Sequence, residues 1–401
     1  MRPWPRYPRT ELFPIKGVDL EPDANRIQGF DMARAIAILA MVVVNYAAMM
    51  EVSVYPAVWV YSVVDFLYGR AATLFVVLAG VSLSLMVRSR RTSGVLNRIE
   101  PYLMKRSVLL FITGIALSFW WEADILHFYA LFVALGAWIS ACSNRVLQAL
   151  TLLSAVISIP VCAVLTAIYD WTDLIPYVEG QMWGVKLLMD YVTSRYYSVF
   201  PWITYFLMGM LLGRRDPADR LFFRRCLVIS ATTCVAIELL SAWMMTWAEH
   251  GLLEIEGNWR LTFIRSETFP VTPLFMISSG AGALAVISFC RLAANHRAVT
   301  RCLAPVFAFG RLSLTMYVMH FFWGFSVIRW AGHSGDTVNS TTMLNAAGVF
   351  CCFGICFSAC WLRVFKRGPL ETIFYQLARI SRRQAVVFNP FTAATRQLQD
   401  K

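Results

Sequence analysis

The stretch "GFDMARAIAILAMVVVNY", residues 29–46, is apolar enough to cross a bilayer, yet it carries Asp31, Arg34 and Asn45. Each of these costs free energy in contact with hydrocarbon. At about 100° per residue, the eleven positions from Arg34 to Asn45 and the fourteen from Asp31 to Asn45 are nearly whole numbers of turns, so the three side chains share one stripe of a helix. The remaining surface is Ile, Leu, Val, Met and Ala. A helix of this kind is expected to turn its polar stripe to a protein interior and its apolar surface to lipid.

The rest of the chain extends the same pattern. Of 401 residues, 58% are hydrophobic and only 15% charged, against about 25% charged in a soluble domain, and the mean hydropathy is +0.58. These values describe an all-α, polytopic membrane protein whose first partner is the lipid bilayer. The net charge of +12 sits in short gaps between apolar runs and forms no Lys/Arg face with interleaved aromatics, so nucleic acid is not an expected partner.

Apolar runs of spanning length fall at 32–50, 62–87, 104–121, 125–142, 146–169, 196–213, 223–247, 270–290, 304–328 and 343–362, which predicts about ten transmembrane helices. The loops between them alternate. One set is basic, around Arg88, Lys105 and Arg106, then Arg214 to Arg225, then Arg291 to Arg301, then Arg363 to Arg383. The other is acidic, around Glu51, then Glu122 and Asp124, then Asp170 to Asp190, then Glu249 to Glu267. Only Arg145 interrupts this order. Basic loops stay in the cytoplasm, so both termini are expected there.

The organisation that follows is a cytoplasmic juxtamembrane segment over 1–28, opening "MRPWPRYPRT", a transmembrane domain over 29–365, and an amphipathic cytoplasmic tail over 366–401. A signal peptide is not expected, because the first apolar run is long and lacks a small-x-small cleavage site. The ten cysteines lie in spans or on the cytoplasmic side, so disulfides are not expected either. Cys352, Cys356 and Cys360 recur every four residues and read as small residues packing between helices rather than as a metal or redox site.

Topology gives depth. Asp31 and Arg34 lie near the cytoplasmic surface, with Asn45 roughly 21 Å beyond Asp31. The second span places Asp65 and Arg70 in its outer half, and the short turn "WWEADILHFYALF" holds Glu122, Asp124, His127 and Tyr129 at the outer leaflet. Asn45, Asp65, Asp124 and His127 therefore share a depth and are expected to line one outward-opening pocket. In "FGRLSLTMYVMHFFWGF", Arg311 sits at the cytoplasmic end and His320 near the bilayer midplane, half a turn out of phase with it. An intramembrane His is a candidate proton acceptor; equally, it can serve as a buried hydrogen bond between helices. Asp124, one turn before His127, is placed to orient that ring. Asp31 with Arg34 also reads as an interface salt bridge, and Asn45 as a tie between helices. Arg70, inside a span, requires a carboxylate, with Asp65, Glu122 and Asp124 the candidates. No metal-ligand cluster, Walker A loop, GxSxG elbow or HExxH motif is present.

"RIQGFDMARAIAILAMVVVNY" resembles the opening of the heparan-alpha-glucosaminide N-acetyltransferase family. "VVDFLYGRAATLFVVLAGVSLSL", "WEADILHFYALF", "FGRLSLTMYVMH" and "GPLETIFYQL" are similar to its bacterial YeiB-like relatives, in the same order and over about residues 26–379. The resemblance implies a transmembrane acyltransferase, using acyl-CoA (acetyl-CoA) as donor substrate rather than as a resident cofactor, and a saccharide or other small-molecule hydroxyl or amine as acceptor. Asp31, Arg34, Asn45, Asp65, Asp124, Arg311 and Glu371 fall on matching positions. The catalytic His that the sugar N-acetyltransferases carry after the Asn-Tyr pair is missing from "AAMMEVSVYPAVW", so either His127 or His320 substitutes or this branch does something else. Asn45, Asp65 and Asp124 complete the catalytic candidates, and Arg34, Arg70, Arg106 and Arg311 are the candidates for the donor phosphates. A transporter or flippase for a small polar or lipid-linked molecule is the alternative, and a homodimer is compatible with either.

Overall fold

The computed structural model describes residues 27–50, 58–92, 99–121, 124–169, 197–250, 263–268, 271–334 and 340–378. The N-terminal segment up to residue 26, Glu122, the loop containing "GLLEIEGNWR" and the tail from residue 379 lie outside the described residues. Every element among the described residues is helical. The order is α1 (Gln28–Met49), α2 (Val58–Leu67), α3 (Arg70–Thr92), α4 (Ile99–Ser118), α5 (Leu126–Ile139), α6 (Asn144–Tyr169) and α7 (Val199–Gly213). It continues with α8 (Arg220–Glu249), α9 (Pro273–Ala293), α10 (Arg297–Cys302), α11 (Ala304–Arg311), α12 (Ser313–Ser334), α13 (Ser340–Val364) and α14 (Pro369–Ala378).

Among the described residues, six stretches are long and apolar enough to cross a membrane by themselves: α1, the α2–α3 pair, α6, α8, α9 and α13. The other apolar runs are helical but shorter, broken or, in the 20-residue α4 with Glu100, Lys105 and Arg106, more polar. The 14-residue α5 and 15-residue α7 each reach only about 21–23 Å at 1.5 Å per residue, short of a hydrocarbon core of about 30 Å. Six helices thus meet the criterion of length and composition, where about ten spans were expected.

Two runs expected to be single helices are interrupted. Between α2 and α3 the chain turns at Gly69, whose φ of +69° suits glycine alone among ordinary residues. Between α11 and α12 it breaks at Leu312 (φ −97°, ψ 30°). Arg311 and His320 therefore belong to different helices, and the phase relation expected between them does not apply.

The helices sort by burial. In the α2–α3 window 78% of residues are buried, against 11% in α8 and 22% in α6, so α3 is central while α6 and α8 form the lipid-facing periphery. The centre is completed by α1, which packs on α3, α9, α11, α12 and α13. No residue from Ile27 to Met50 is exposed, and Ala33, Ala35, Ile38, Val42 and Tyr46 are fully enclosed. This narrows the expectation that the apolar surface of α1 meets lipid: most of that surface meets other helices, while Ile36, Leu39, Ala40 and Val43 keep partial exposure. Small residues permit the close approaches. Gly80 and Gly209 pack α3 onto the backbone of α7, and a Cβ at Gly310 would fall 1.9 Å from the carbonyl oxygen of Asp31.

All ten cysteines are free thiols. Cys352, Cys356 and Cys360 are exposed along α13, so they face outward and do not pack between helices as expected.

Gly310→Ala is expected to destabilise the protein by about 1–3 kcal/mol, because backbone must move to admit the methyl. Gly348→Ala, with nothing within 4 Å of the new Cβ, is the control expected to be neutral. Thermal unfolding midpoints of the two purified variants check this.

Candidate functional site

A cavity of about 990 Å³ opens at the end of the bundle where α1 begins, α3 ends and α4 begins. Arg34, Arg88 and Arg106 form one wall, from α1, α3 and α4. Arg291, Arg311, Lys366 and Arg367 form the other, from α9, α11 and the turn before α14. Three carboxylates accompany these seven cations: Asp31, Asp216 and Glu371. Asp31, 2% exposed, accepts a hydrogen bond from Arg34 Nη1 at 2.5 Å, and Arg34 Nη2 donates to Ser82 Oγ at 2.9 Å. Asp216 accepts from the amide of Ala218 at 3.1 Å. The buried Nε–H of Arg291 has no acceptor among the described residues. A concave site of this charge attracts polyanions, and Arg forks match phosphate oxygens.

The cavity is deep. Along α3 its lining runs from Arg88 to Phe75, thirteen residues or roughly 20 Å of helix. Tyr129 also lines it, although its position in sequence put it at the opposite leaflet. The Phe75 ring lies 5.7 Å from that of Tyr129 and stacks on Tyr317 at 5.7 Å. One aromatic layer thus separates the floor of the cavity from the groups beyond it.

Beyond the floor, Asp124 (0% exposed) accepts a hydrogen bond from the Tyr317 hydroxyl at 2.8 Å and another from the amide of Leu126 at 2.9 Å. His127 Nδ1 lies 3.6 Å from Asp124 Oδ2, close enough for charge to be felt but beyond a hydrogen bond. Tyr317 is the side chain that donates to Asp124, with His127 beside it at ion-pair distance. His320 Nδ1 donates to the backbone oxygen of Tyr317. Because a carbonyl only accepts, Nδ1 carries a proton, and Nε2 is the basic nitrogen of the neutral ring. That nitrogen meets Asn45 Nδ2 at 3.0 Å, while the Tyr46 hydroxyl donates to the His320 carbonyl at 2.9 Å. The amide of Asn45 offers a donor on one atom and an acceptor on the other, so by turning over it can match either charge state of the imidazole.

On the far side a second, small cavity of about 30 Å³ is lined by Asn45, Tyr68, Gly69, Trp121 and Tyr197, among others, room for about one water molecule. The Trp121 indole N–H is buried there without an acceptor among the described residues. The cluster of Asp124, Tyr317, His320 and Asn45 thus lies between a basic cavity and a small polar one.

Two candidates stand elsewhere. Asp65 is exposed on α2 and lines neither cavity, so the outward pocket expected from depth does not include it. Arg70 is paired with Glu238 of α8, which also accepts from Ser266 at 2.9 Å and from Ser278, and its guanidinium lies 4.4 Å from the centre of the Phe66 ring. Neither Asp65 nor Asp124 is the partner of Arg70, Glu122 lies outside the described residues, and Arg70 does not line the basic cavity. Glu371, on α14, accepts from the amides of Leu314 and Thr315 at 2.8 and 3.1 Å and from the Thr315 hydroxyl at 2.5 Å. Sequence reasoning missed Tyr317, Tyr46 and Glu238. Tyr46 and Tyr317 sit in apolar runs where a lone hydroxyl barely registers, whereas Glu238, a carboxylate inside the 223–247 run, is a signal the sequence did carry. Lys366 and Arg367 read in the sequence only as topogenic charge.

Residues 26–221 match the family described as "Heparan-alpha-glucosaminide N-acetyltransferase, catalytic", and residues 212–381 match a family described as "Protein of unknown function (DUF418)". Neither the curated proteins nor the solved structures give a significant match to the chain.

Tyr317→Phe is expected to cost about 1–3 kcal/mol, since it strips a buried carboxylate of a donor. In a double-mutant cycle with Asp124→Asn, unfolding measurements should give a coupling of about 0.5–3 kcal/mol between the two positions.

Proposed function

We propose that this chain, whose residues 26–221 match the heparan-alpha-glucosaminide N-acetyltransferase catalytic family and whose residues 212–381 match the DUF418 family, is a membrane acyltransferase of the plasma membrane. It takes an acyl group, acetyl in the simplest case, from acyl-CoA on the cytoplasmic side. It passes that group to a hydroxyl or amine of a saccharide or other small acceptor at the outer face. The observation that carries the reading is the reach of the basic cavity, roughly 20 Å along α3 from Arg88 to Phe75, ending one ring short of a buried His–Asn–Tyr–Asp cluster.

In this reading the donor's phosphates lie among Arg34, Arg106 and Arg311, joined by Arg88, Arg291, Lys366 and Arg367. The narrow pantetheine arm runs down the cavity and brings the thioester to the Phe75 and Tyr129 floor. His320 is the general base: its Nε2 takes the proton of the acceptor nucleophile as Asn45 turns its oxygen to the imidazolium. His127, held against Asp124, is the second candidate base. The acceptor's hydroxyl or amine approaches from the side of Asn45 and Trp121. Attack on the thioester carbonyl forms the new ester or amide bond and breaks the carbon–sulfur bond, and CoA leaves as the thiol after taking up the proton from His320. Asp65 and Arg70 have no part in this scheme.

Transfer of label from [¹⁴C]acetyl-CoA to acceptors, by protein purified into nanodiscs, tests the proposal. His320→Ala is expected to lower turnover by about 10²-fold or more, the usual contribution of a general base. Arg106→Ala and Arg311→Ala are expected to raise the donor KM. Full activity of both His127→Ala and His320→Ala would end the histidine assignment. Movement of an acceptor across the membrane without label transfer would favour a carrier.

A further inference from the structure

The basic cavity is a composite. Its first wall comes from the part of the chain that matches the N-acetyltransferase catalytic family, and its second wall, including Arg311 and Arg367, comes from the part that matches the family of unknown function. The second part also holds α12, which carries Tyr317 and His320 into the buried cluster. Glu371 joins these two duties. It lines the cavity on α14, while its carboxylate receives the first two free amides of α12 and the Thr315 hydroxyl. The amide of Leu370 completes the joint by donating to Thr315 Oγ1 at 3.2 Å.

The start of a helix presents unpaired N–H groups and partial positive charge, so a carboxylate there is a strong tie. Here the tie comes from another helix. The chain between α11 and α12 is already interrupted at Leu312, so the lower end of α12 is held in place through α14 and not through a continuous helix. Arg367 lies four residues before Glu371, with its guanidinium 3.6 Å from the centre of the Tyr375 ring. A ligand that draws Arg367 or Lys366 inward therefore pulls on the element that anchors α12. Two residues beyond Thr315 is Tyr317, and one turn beyond Tyr317 is His320.

We propose that residues 366–375 are the donor-sensing wall of the cavity, and that Glu371 is a positioning residue coupling phosphate binding there to the placement of Tyr317 and His320 on α12. The segment of unknown function thereby supplies both half of the anion site and the means by which its occupancy reaches the reacting groups. The inference rests on the reading of the cavity as an acyl-CoA site.

The test uses the full chain in nanodiscs with coenzyme A as probe, read by amide hydrogen exchange, by calorimetric binding, and by kcat and KM for acetyl transfer. In the wild type, coenzyme A should slow exchange across residues 314–320 as well as 366–375. In Glu371→Gln, binding should persist while protection of 314–320 is lost and kcat falls about fivefold or more with little change in the donor KM. Thr315→Val, which keeps the carboxylate but removes its hydroxyl partner, should reproduce the same split and serves if Glu371→Gln does not fold. Arg367→Ala should instead raise the donor KM. Coenzyme A bound with protection confined to 366–375, or variants with wild-type kcat and wild-type protection of α12, would overturn the coupling and leave the donor site standing. Absence of coenzyme A binding to the wild type would overturn both.

Discussion

The hydrogen bond from the Tyr317 hydroxyl to Asp124, 2.8 Å long, holds the polar interior in register. A carboxylate with no exposed surface keeps its charge only if its lone pairs are met, and Asp124 has one phenol and one backbone amide to meet them. Because the phenol belongs to α12 and the amide to the start of α5, the carboxylate fixes the distance between those helices. His320, one turn further along α12, then falls opposite Asn45 of α1, and the Tyr46 hydroxyl secures the same turn by its backbone. Three helices, α1, α5 and α12, are positioned by a few bonds that have no competitor, since lipid offers neither donors nor acceptors.

The basic end obeys the opposite logic. Seven cations around one cavity repel one another, and of the neighbouring carboxylates Asp31 pairs with Arg34 of its own helix while Glu371 is bonded to the start of α12. Such a set is tolerated because the cavity is open to water at that end, where screening is strong. A polyanion entering it gains attraction at every wall and relieves the repulsion. At the far end the single Arg70 sits among apolar rings and is matched by Glu238 together with two serines. An isolated cation held by a carboxylate is a structural tie, while a crowd of cations facing water is a binding surface.

The polar stripe on α1 illustrates how far the sequence could be read. Its periodicity correctly separated Asp31 and Arg34 at one end from Asn45 at the other, and the alternation of loop charge gathered Arg34, Arg106 and Arg311 on one side of the bundle. It misjudged how much of α1 other helices cover, because an apolar residue looks the same whether it faces lipid or another apolar helix. The pocket drawn from depth alone failed at Asp65 for a related reason. Depth is one coordinate of three, and the turn at Gly69 gives α2 its own direction and leaves Asp65 outside. The second interruption, at Leu312, was hidden because the residues around it are ordinary helix formers; what stabilises the break is Glu371, more than fifty positions away.

The sequence by itself determined that this is a helical membrane protein, which residues are too polar to meet lipid, and which end of the bundle is basic. Those properties follow from local composition and helical period, each readable within a few turns. Only the tertiary structure decided the partners: Tyr317 for Asp124, His320 for Asn45, Glu238 for Arg70 and the start of α12 for Glu371. A polar group in hydrocarbon is compelled to find a partner, but its own neighbourhood in the chain says nothing about which one. That choice is made by helix packing between residues tens to hundreds of positions apart.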